Sequence, residues 1–166
     1  MALYGIRQLA ASARAVRTNT ILIAGDIPES QYGFRATPVT RSVAETLMHI
    51  AWLWTSDRHL HEELHLSSVT TFDFPALMKQ SEVLEKQRRS KAEIVEMLQM
   101  EGERWVRWLE GLSDNFLAER LELAPGFSLT RFEMLVATKE HELQHRAQLT
   151  VLERLVGVTP RFTGVA

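Results

Sequence analysis

Two histidines at helical spacing are the residues of this chain best suited to chemistry. They lie in the pentapeptide His141-Glu142-Leu143-Gln144-His145, which matches the pattern H-E-x-x-H. Positions four apart on an α-helix are separated by about 40° around its axis, so both imidazoles can bind one metal ion. In metallopeptidases with this pattern, the glutamate is the general base that acts on metal-bound water. The motif therefore predicts a metal site, with Glu142 as the candidate catalytic residue.

The third ligand of such a site is not found downstream of the motif. Zinc peptidases of this type add a His about six residues after the second His, or a Glu about twenty residues on, and neither is present here. The only later acid is Glu153, in the same predicted helix. Upstream, His49 lies in the apolar run 47–54, where an unpaired imidazole is costly to bury. With His141 and His145 it gives a three-nitrogen site with an open position, as in catalytic metal sites. Without the two histidines of the motif, His49 would instead be read as a hydrogen-bonded core histidine.

A second histidine cluster competes with this assignment. His59, His61 and His65 follow one another closely, and the last two have the same spacing of four residues. Polar side chains surround them on every side of the predicted helix, which is typical of a solvated helix end. We therefore favour the site formed by His49, His141 and His145.

Two glutamates near the candidate ligands have alternative roles. Glu142 lies about 100° around the helix from His141, so it either reaches a water beside the metal, is exposed, or pairs with another helix. Glu45 lies one turn before His49 and either accepts a hydrogen bond from that imidazole or completes a capping box with Ser42. One carboxylate cannot fill both of the roles open to Glu45.

The elements that must position these residues are helices. Strand patterns are nearly absent, whereas helical periodicity recurs in four segments separated by loops with Pro and Gly. We predict an all-α four-helix bundle with helices over about residues 3–25, 40–65, 90–111 and 128–156. Capping boxes mark three of the starts: Ser42 with Glu45, Ser90 with Glu93, and Thr130 with Glu133. Residues 66–79 are predicted to form a long crossover connection between helices two and three.

Composition restricts the class of protein. The 166 residues are 45% apolar, which predicts a single domain over residues 1–166. A formal net charge of −2 and the lack of charge blocks predict neither nucleic acid nor a membrane as partner, and we expect a soluble, cytoplasmic protein. The chain contains no cysteine, so any thiol chemistry requires a thiol cosubstrate.

Two stretches of this sequence resemble the DinB-like (DinB/YfiT) superfamily, over roughly residues 5–156. They are Phe34-Arg35-x-Thr37-Pro38-x-x-Arg41-Ser42-Val43-x-Glu45-x-Leu47-x-His49-Ile50 and Glu140-His141-x-x-x-His145-Arg146-x-Gln148-Leu149. The resemblance implies a four-helix bundle, a homodimer, and one divalent metal bound by a triad, which carries over to His49, His141 and His145. It also implies metal-dependent transfer or isomerisation with a low-molecular-weight thiol such as bacillithiol, mycothiol or glutathione, or metal-dependent hydrolysis.

The leading hypothesis is therefore a metal-dependent enzyme that acts on a small molecule, with Zn²⁺, Ni²⁺ or a similar ion at a three-histidine site. A non-catalytic, dimeric stress or scaffold protein with a vestigial metal site is the second hypothesis. A metallopeptidase of the H-E-x-x-H type is the weakest, because the downstream ligand is missing and no edge strand is predicted to hold a peptide.

Overall fold

Helices account for most of the fold in the computed structural model, which describes residues 4–161. In chain order, the elements are α1 (Ile6–Asp26), a 3₁₀ turn (Glu29–Gln31), α2 (Val43–Arg58), a π-helical turn (His59–Glu63), α3 (Phe74–Lys86), α4 (Lys91–Glu110), α5 (Asp114–Ala118), β1 (Arg120–Ala124), β2 (Phe127–Thr130) and α6 (Arg131–Leu155).

Four long helices form the bundle. Helices α1 and α2 each pack against both α4 and α6, so α1 and α2 occupy diagonal positions although they are consecutive. Apolar side chains fill the interior in two clusters, one around Ile50 and Leu98 and the other around Trp54 and Trp105. The predicted four-helix bundle is confirmed, and it places α2 directly beside α6, the two helices that carry the candidate ligands.

The predicted helix starts agree with the structure. Ser42, Ser90 and Thr130 each accept a hydrogen bond from the backbone N–H three residues on, and a glutamate at that position bonds back to the cap. These reciprocal bonds satisfy backbone donors that a helix start leaves without partners. The capping boxes thereby fix where α2, α4 and α6 begin.

The predicted crossover over residues 66–79 is wrong in its second half. Helix α3 begins at Phe74, where the side chain of Asp73 caps the backbone N–H of Ala76 and Pro75 occupies the first turn. Both residues are typical helix-start signals. Helix α3 packs against α2, which makes it a fifth helix on the outside of the bundle.

A short antiparallel hairpin is a second difference from the prediction. Strands β1 and β2 meet at Pro125-Gly126, where Gly126 has φ = +76°, a conformation that favours glycine. The hairpin ends at Thr130, the residue that caps α6. Among the described residues, no helix is both long and apolar enough to cross a membrane.

Candidate metal centre

Helices α2 and α6 bring the three predicted ligands together. One ring nitrogen from each of His49, His141 and His145 lies within 4.8 Å of the other two. The ring centroid of His49 is 4.5 Å from that of His145 and 5.5 Å from that of His141. The two histidines of α6 approach each other through their Nε2 atoms, at 2.9 Å. Residues about ninety positions apart in sequence thus form one cluster of imidazoles.

Glu85 of α3 fixes the orientation of His49. The His49 Nδ1 lies 2.7 Å from Glu85 Oε1, and an ionised carboxylate only accepts, so Nδ1–H donates this bond. In the neutral imidazole, Nε2 then carries a lone pair. That nitrogen is buried and has no hydrogen-bond partner among residues 4–161. This open nitrogen, with the nitrogens of His141 and His145 close to it, provides three donors that can bind one ion.

Glu85 itself is held by several donors. Arg41 Nε donates to Oε2 at 2.7 Å and the Ser81 hydroxyl donates to Oε1 at 2.8 Å, in addition to the bond from His49. Burial alone raises the pKa of Glu85, but these hydrogen bonds outweigh it and bring that pKa down to about 2. The carboxylate therefore stays ionised at neutral pH.

Gln148 plays the corresponding part for His145. The His145 Nδ1–H donates to Gln148 Oε1 at 2.9 Å, which leaves Nε2 as the acceptor that faces His141. Burial lowers the pKa of His145 to about 4, although the hydrogen bond to Gln148 acts in the opposite direction. Burial also lowers the pKa of His141. Both rings of α6 are thus held in the neutral form that binds metal.

The arrangement fits a small divalent ion. Nitrogens bound to tetrahedral zinc at about 2.0–2.1 Å lie roughly 3.4 Å apart. That separation falls between the 2.9 Å contact of the two Nε2 atoms and the 4.8 Å limit for the whole cluster. Three neutral imidazoles suit Zn²⁺, Ni²⁺ and several other ions, so the donor set does not select one metal.

Glu142 points away from this cluster, into the contact between α6 and α1. Arg17 of α1 donates to both of its carboxylate oxygens at 3.0 Å, and the Thr20 hydroxyl donates to Oε1 at 2.8 Å. Neither Glu142 nor Arg17 is more than 3% exposed. Of the roles predicted for Glu142, this geometry corresponds to pairing with another helix and gives no support to a role as general base.

Glu45 completes the capping box of α2. Its Oε2 accepts from the backbone N–H of Ser42 at 2.8 Å, and its Oε1 accepts from Arg35 at 2.5 Å. The imidazole of His49 bonds Glu85 instead. The two alternatives for Glu45 are thereby resolved in favour of the helix cap.

The competing histidines do not converge. His61 is fully buried, and its Nδ1 accepts a hydrogen bond from Arg131 Nη1 at 3.0 Å. His59 and His65 are more exposed, and each bonds a different glutamate. Among residues 4–161, they form no group of three potential ligands comparable to His49, His141 and His145.

Sequence reasoning missed Glu85 and gave Gln148 no role. The helix-start signals at Asp73 and Pro75 could have revealed α3, and a glutamate on a helix next to α2 would then have become a candidate partner for His49. Gln148 lies three residues after His145, a spacing that puts two side chains on one helix face.

Comparisons with known proteins agree with this architecture. A family model described as the DinB superfamily matches residues 13–149. A DinB-like protein (YjoA) from Bacillus subtilis has a TM-score of 0.72 and 21% identity, over 96% of this chain and 99% of that chain. YfiT from Bacillus subtilis, described as a probable metal-dependent hydrolase with an unusual four-helix bundle topology, has a TM-score of 0.70 and 16% identity, over 96% of this chain and 91% of that chain. A protein from Clostridium difficile 630 has a TM-score of 0.72 and 16% identity, over 94% of this chain and 99% of that chain. No curated protein matches the sequence.

Proposed function

The chain belongs to the DinB superfamily, and from this premise we propose that it is a divalent-metal-dependent enzyme that acts on a small molecule. His49, His141 and His145 are the proposed ligands. The buried His49 Nε2, which has no partner among residues 4–161, is the observation that carries the proposal. The buried His61 also has an unpaired Nε2, but only His49 has two further imidazoles, those of His141 and His145, converging on it among the described residues.

The side chains around the site fix the orientation of the ligand imidazoles and leave room for a substrate. Glu85 keeps the proton of His49 on Nδ1, and Gln148 does the same for His145, so two rings are fixed with Nε2 available. Three protein ligands leave a position open for substrate or water. When bound, a divalent ion supplies Lewis acidity at that position and lowers the pKa of a water or thiol placed there.

Hydrolysis and thiol-dependent transfer are the two reaction types we propose. The description of YfiT as a probable metal-dependent hydrolase supports the first. For the second, the thiol would come from a low-molecular-weight cosubstrate because the chain has no cysteine. Peptidase activity is not favoured, since both oxygens of Glu142 are bonded to Arg17 and Thr20 in the core.

An activity screen tests whether the protein is an enzyme rather than a non-catalytic scaffold. Protein loaded with Zn²⁺ or Ni²⁺ is assayed with activated esters and amides, and separately with electrophiles plus glutathione, bacillithiol or mycothiol. We expect turnover that is lost in His145→Ala and after chelation, and retained in His59→Ala, whose ring lies outside the site. Activity that survives in His145→Ala would contradict the proposal.

The proposed homodimer and cytoplasmic location rest on the family resemblance and the composition, and both remain predictions.

A further inference from the structure

Arg17 extends from α1 into the core and bonds to the other three long helices. Its Nη1 donates to the Leu98 carbonyl of α4 at 2.9 Å, and its Nη2 donates to the Ile50 carbonyl of α2 at 3.2 Å. The same side chain holds the Glu142 carboxylate of α6 through Nε and Nη2, each at 3.0 Å. One buried guanidinium thus joins all four long helices of the bundle.

Two of these contacts lie next to the proposed ligands. Ile50 follows His49 in α2, and Glu142 follows His141 in α6. Arg17 therefore bonds the same helical turns that carry the imidazoles. Bonds of a guanidinium to a carboxylate are charge-assisted and directional, so they fix the distance and angle between the groups that they join. Because packed helices are hard to deform, a fixed contact at this level restricts how α2 can slide or rotate against α6.

The packing around Arg17 also restricts its position. Its Cζ lies 3.8 Å from the ring centroid of Trp54 on α2. On α4, a Cβ added to Gly102 would lie 2.7 Å from Arg17 Cγ, which is closer than real Cβ contacts. Glycine inside a helix destabilises it relative to alanine, and here the missing Cβ provides the space that the arginine side chain occupies. Gly102 is therefore part of the arrangement that holds the guanidinium.

Stability alone does not require an ion pair at this place. Apolar side chains of similar volume are often as stabilising as a buried ion pair, because both charges lose their hydration on burial. Directional bonds differ from apolar contacts in the precision that they give, since repacked apolar cores lose a unique arrangement before they lose stability. A metal site depends on such precision, because its ligand atoms must be held to within about 0.5 Å.

We infer that Arg17 is a positioning residue for the proposed metal site: it fixes α2 against α6, and thereby fixes His49 against the two histidines of α6. Its hydrogen bonds go to none of the three imidazoles. It acts through the backbone of α2 and through Glu142, the side chain next to His141. The inference goes beyond the proposed function and rests on it for the identity of the ligands. It gives the glutamate of the motif a part in the site through packing rather than through acid–base chemistry.

A double replacement separates positioning from stability. Arg17→Met combined with Glu142→Met removes both charges together, while the Thr20 hydroxyl keeps its bond to the Val16 carbonyl at 3.2 Å. The two carbonyls that Arg17 bonds keep the bonds within their own helices. The double variant should therefore melt close to or above the wild type. We expect its Kd for Zn²⁺ to rise about tenfold or more, because the ligands are no longer held in place. A Kd equal to that of the wild type would overturn the inference.

Gly102→Ala is a second variant, which displaces Arg17 without removing a charge or a ligand. Its Kd for Zn²⁺ should rise roughly threefold or more, and the d–d absorption bands of bound Co²⁺, which report ligand geometry, should shift. Gly25→Ala is the matched control, because Gly25 also lies in a long helix and a Cβ there meets no atom within 4 Å. It should bind both ions like the wild type. Equal results for the two alanine variants would overturn the inference.

Failure of the metal proposal would be visible separately. If the wild type binds no Zn²⁺, or if His145→Ala binds it equally well, the proposed function is contradicted. The role of Arg17 is then judged on metal-free protein, from NOEs between the ring protons of His49 and His145, whose ring centroids lie 4.5 Å apart. We expect these NOEs in the wild type, and their loss or weakening in the double methionine variant. Equal NOE intensities in the two proteins would overturn the inference.

Discussion

Helix α6 carries two polar clusters on different faces, and they differ in whether their hydrogen bonds are complete. Around Glu142, both carboxylate oxygens are bonded, and each nitrogen of Arg17 donates to Glu142 or to the backbone carbonyls of Leu98 and Ile50. Around His141 and His145, by contrast, the His49 Nε2 is buried without a partner among the described residues. The first cluster is closed and the second is open.

This difference separates two roles within one five-residue motif. A closed polar network stabilises a particular packing of helices, and no group is left over for a ligand. An open network leaves groups that a bound ligand can complete. The histidines of the motif therefore belong to the proposed site, while the glutamate joins α6 to α1.

The largest effect that we expect is on folding, at the closed cluster. Glu142→Ala leaves the Arg17 guanidinium buried without its carboxylate, which should lower the free energy of unfolding by about 3–5 kcal/mol. Urea denaturation of the metal-free protein measures this decrease in the free energy of unfolding. His141→Ala, one residue away on the other face, should change that free energy by no more than about 1 kcal/mol. Equal losses in the two variants would show that the clusters do not differ as described.

Acid should affect the open cluster. Burial lowers the pKa of His145 to about 4 in the folded state. The unfolded chain therefore binds the proton more readily, so stability is full above the unfolded value near 6.5 and falls as pH decreases toward 4. We expect a loss of roughly 2–3 kcal/mol for metal-free protein over this interval.

The dependence of the free energy of unfolding on pH should be weaker in His145→Asn. It should be unchanged in His59→Asn, because the side chain of His59 is 43% exposed. Thermal unfolding of the metal-free proteins between pH 7 and pH 4 provides the comparison. A wild-type profile that matches that of His145→Asn would indicate that burial of this imidazole has no consequence for stability.

Glu85→Gln should weaken metal binding without removing a ligand. The carboxylate that polarises His49 is replaced by a neutral amide, and loss of such partners lowers metal affinity about 10–100-fold. Competition with a chromogenic chelator measures the change. Glu82→Gln is the matched control, because Glu82 lies on the same helix and pairs with Lys86 away from the histidines. It should bind metal like the wild type.

Glu153 provides the smallest test, as a polar group that belongs to neither cluster. It is fully buried, and neither of its oxygens has a hydrogen-bond partner among residues 4–161. Burial raises its pKa, and the nearby Asp26 raises it further. The stability that the protonated Glu153 carboxyl contributes is therefore lost as pH rises through its raised pKa in the folded protein.

Glu153→Gln removes the buried charge and should stabilise the protein at pH 7 by an amount on the order of 1 kcal/mol. The gain should shrink as pH falls toward the ordinary glutamate range, where the wild-type carboxyl is protonated. Melting temperatures of both proteins at several pH values test this, and a destabilised variant at pH 7 would argue against an uncompensated carboxylate.

Local signals in the sequence predicted much of this structure. The capping boxes at Ser42, Ser90 and Thr130 are formed by residues close in sequence, and the structure confirms them. The spacing of His141 and His145 likewise depends only on helix geometry. The structure also brings His49 to these two rings, as the prediction required.

The remaining features depend on how distant elements pack. Whether Glu142 faces a metal or the core is decided by the position of Arg17 on α1, which helical spacing on α6 does not reveal. Glu85 became a partner of His49 only because α3 packs against α2. Its helix was missed because Ser67, Ser68, Thr70 and Thr71 made the whole segment resemble a loop, although Asp73 and Pro75 indicated a new start.

The most direct test of the central claim is a metal titration that compares His49→Ala with His59→Ala. Both histidines lie at α2 or just after it, but only His49 reaches the rings of α6. We predict that the metal-free wild type binds one Zn²⁺ per chain, that His49→Ala weakens binding by about 100-fold or more, and that His59→Ala binds like the wild type. Unchanged affinity in His49→Ala would contradict the account, because the open cluster would then not be a metal site built from α2 and α6.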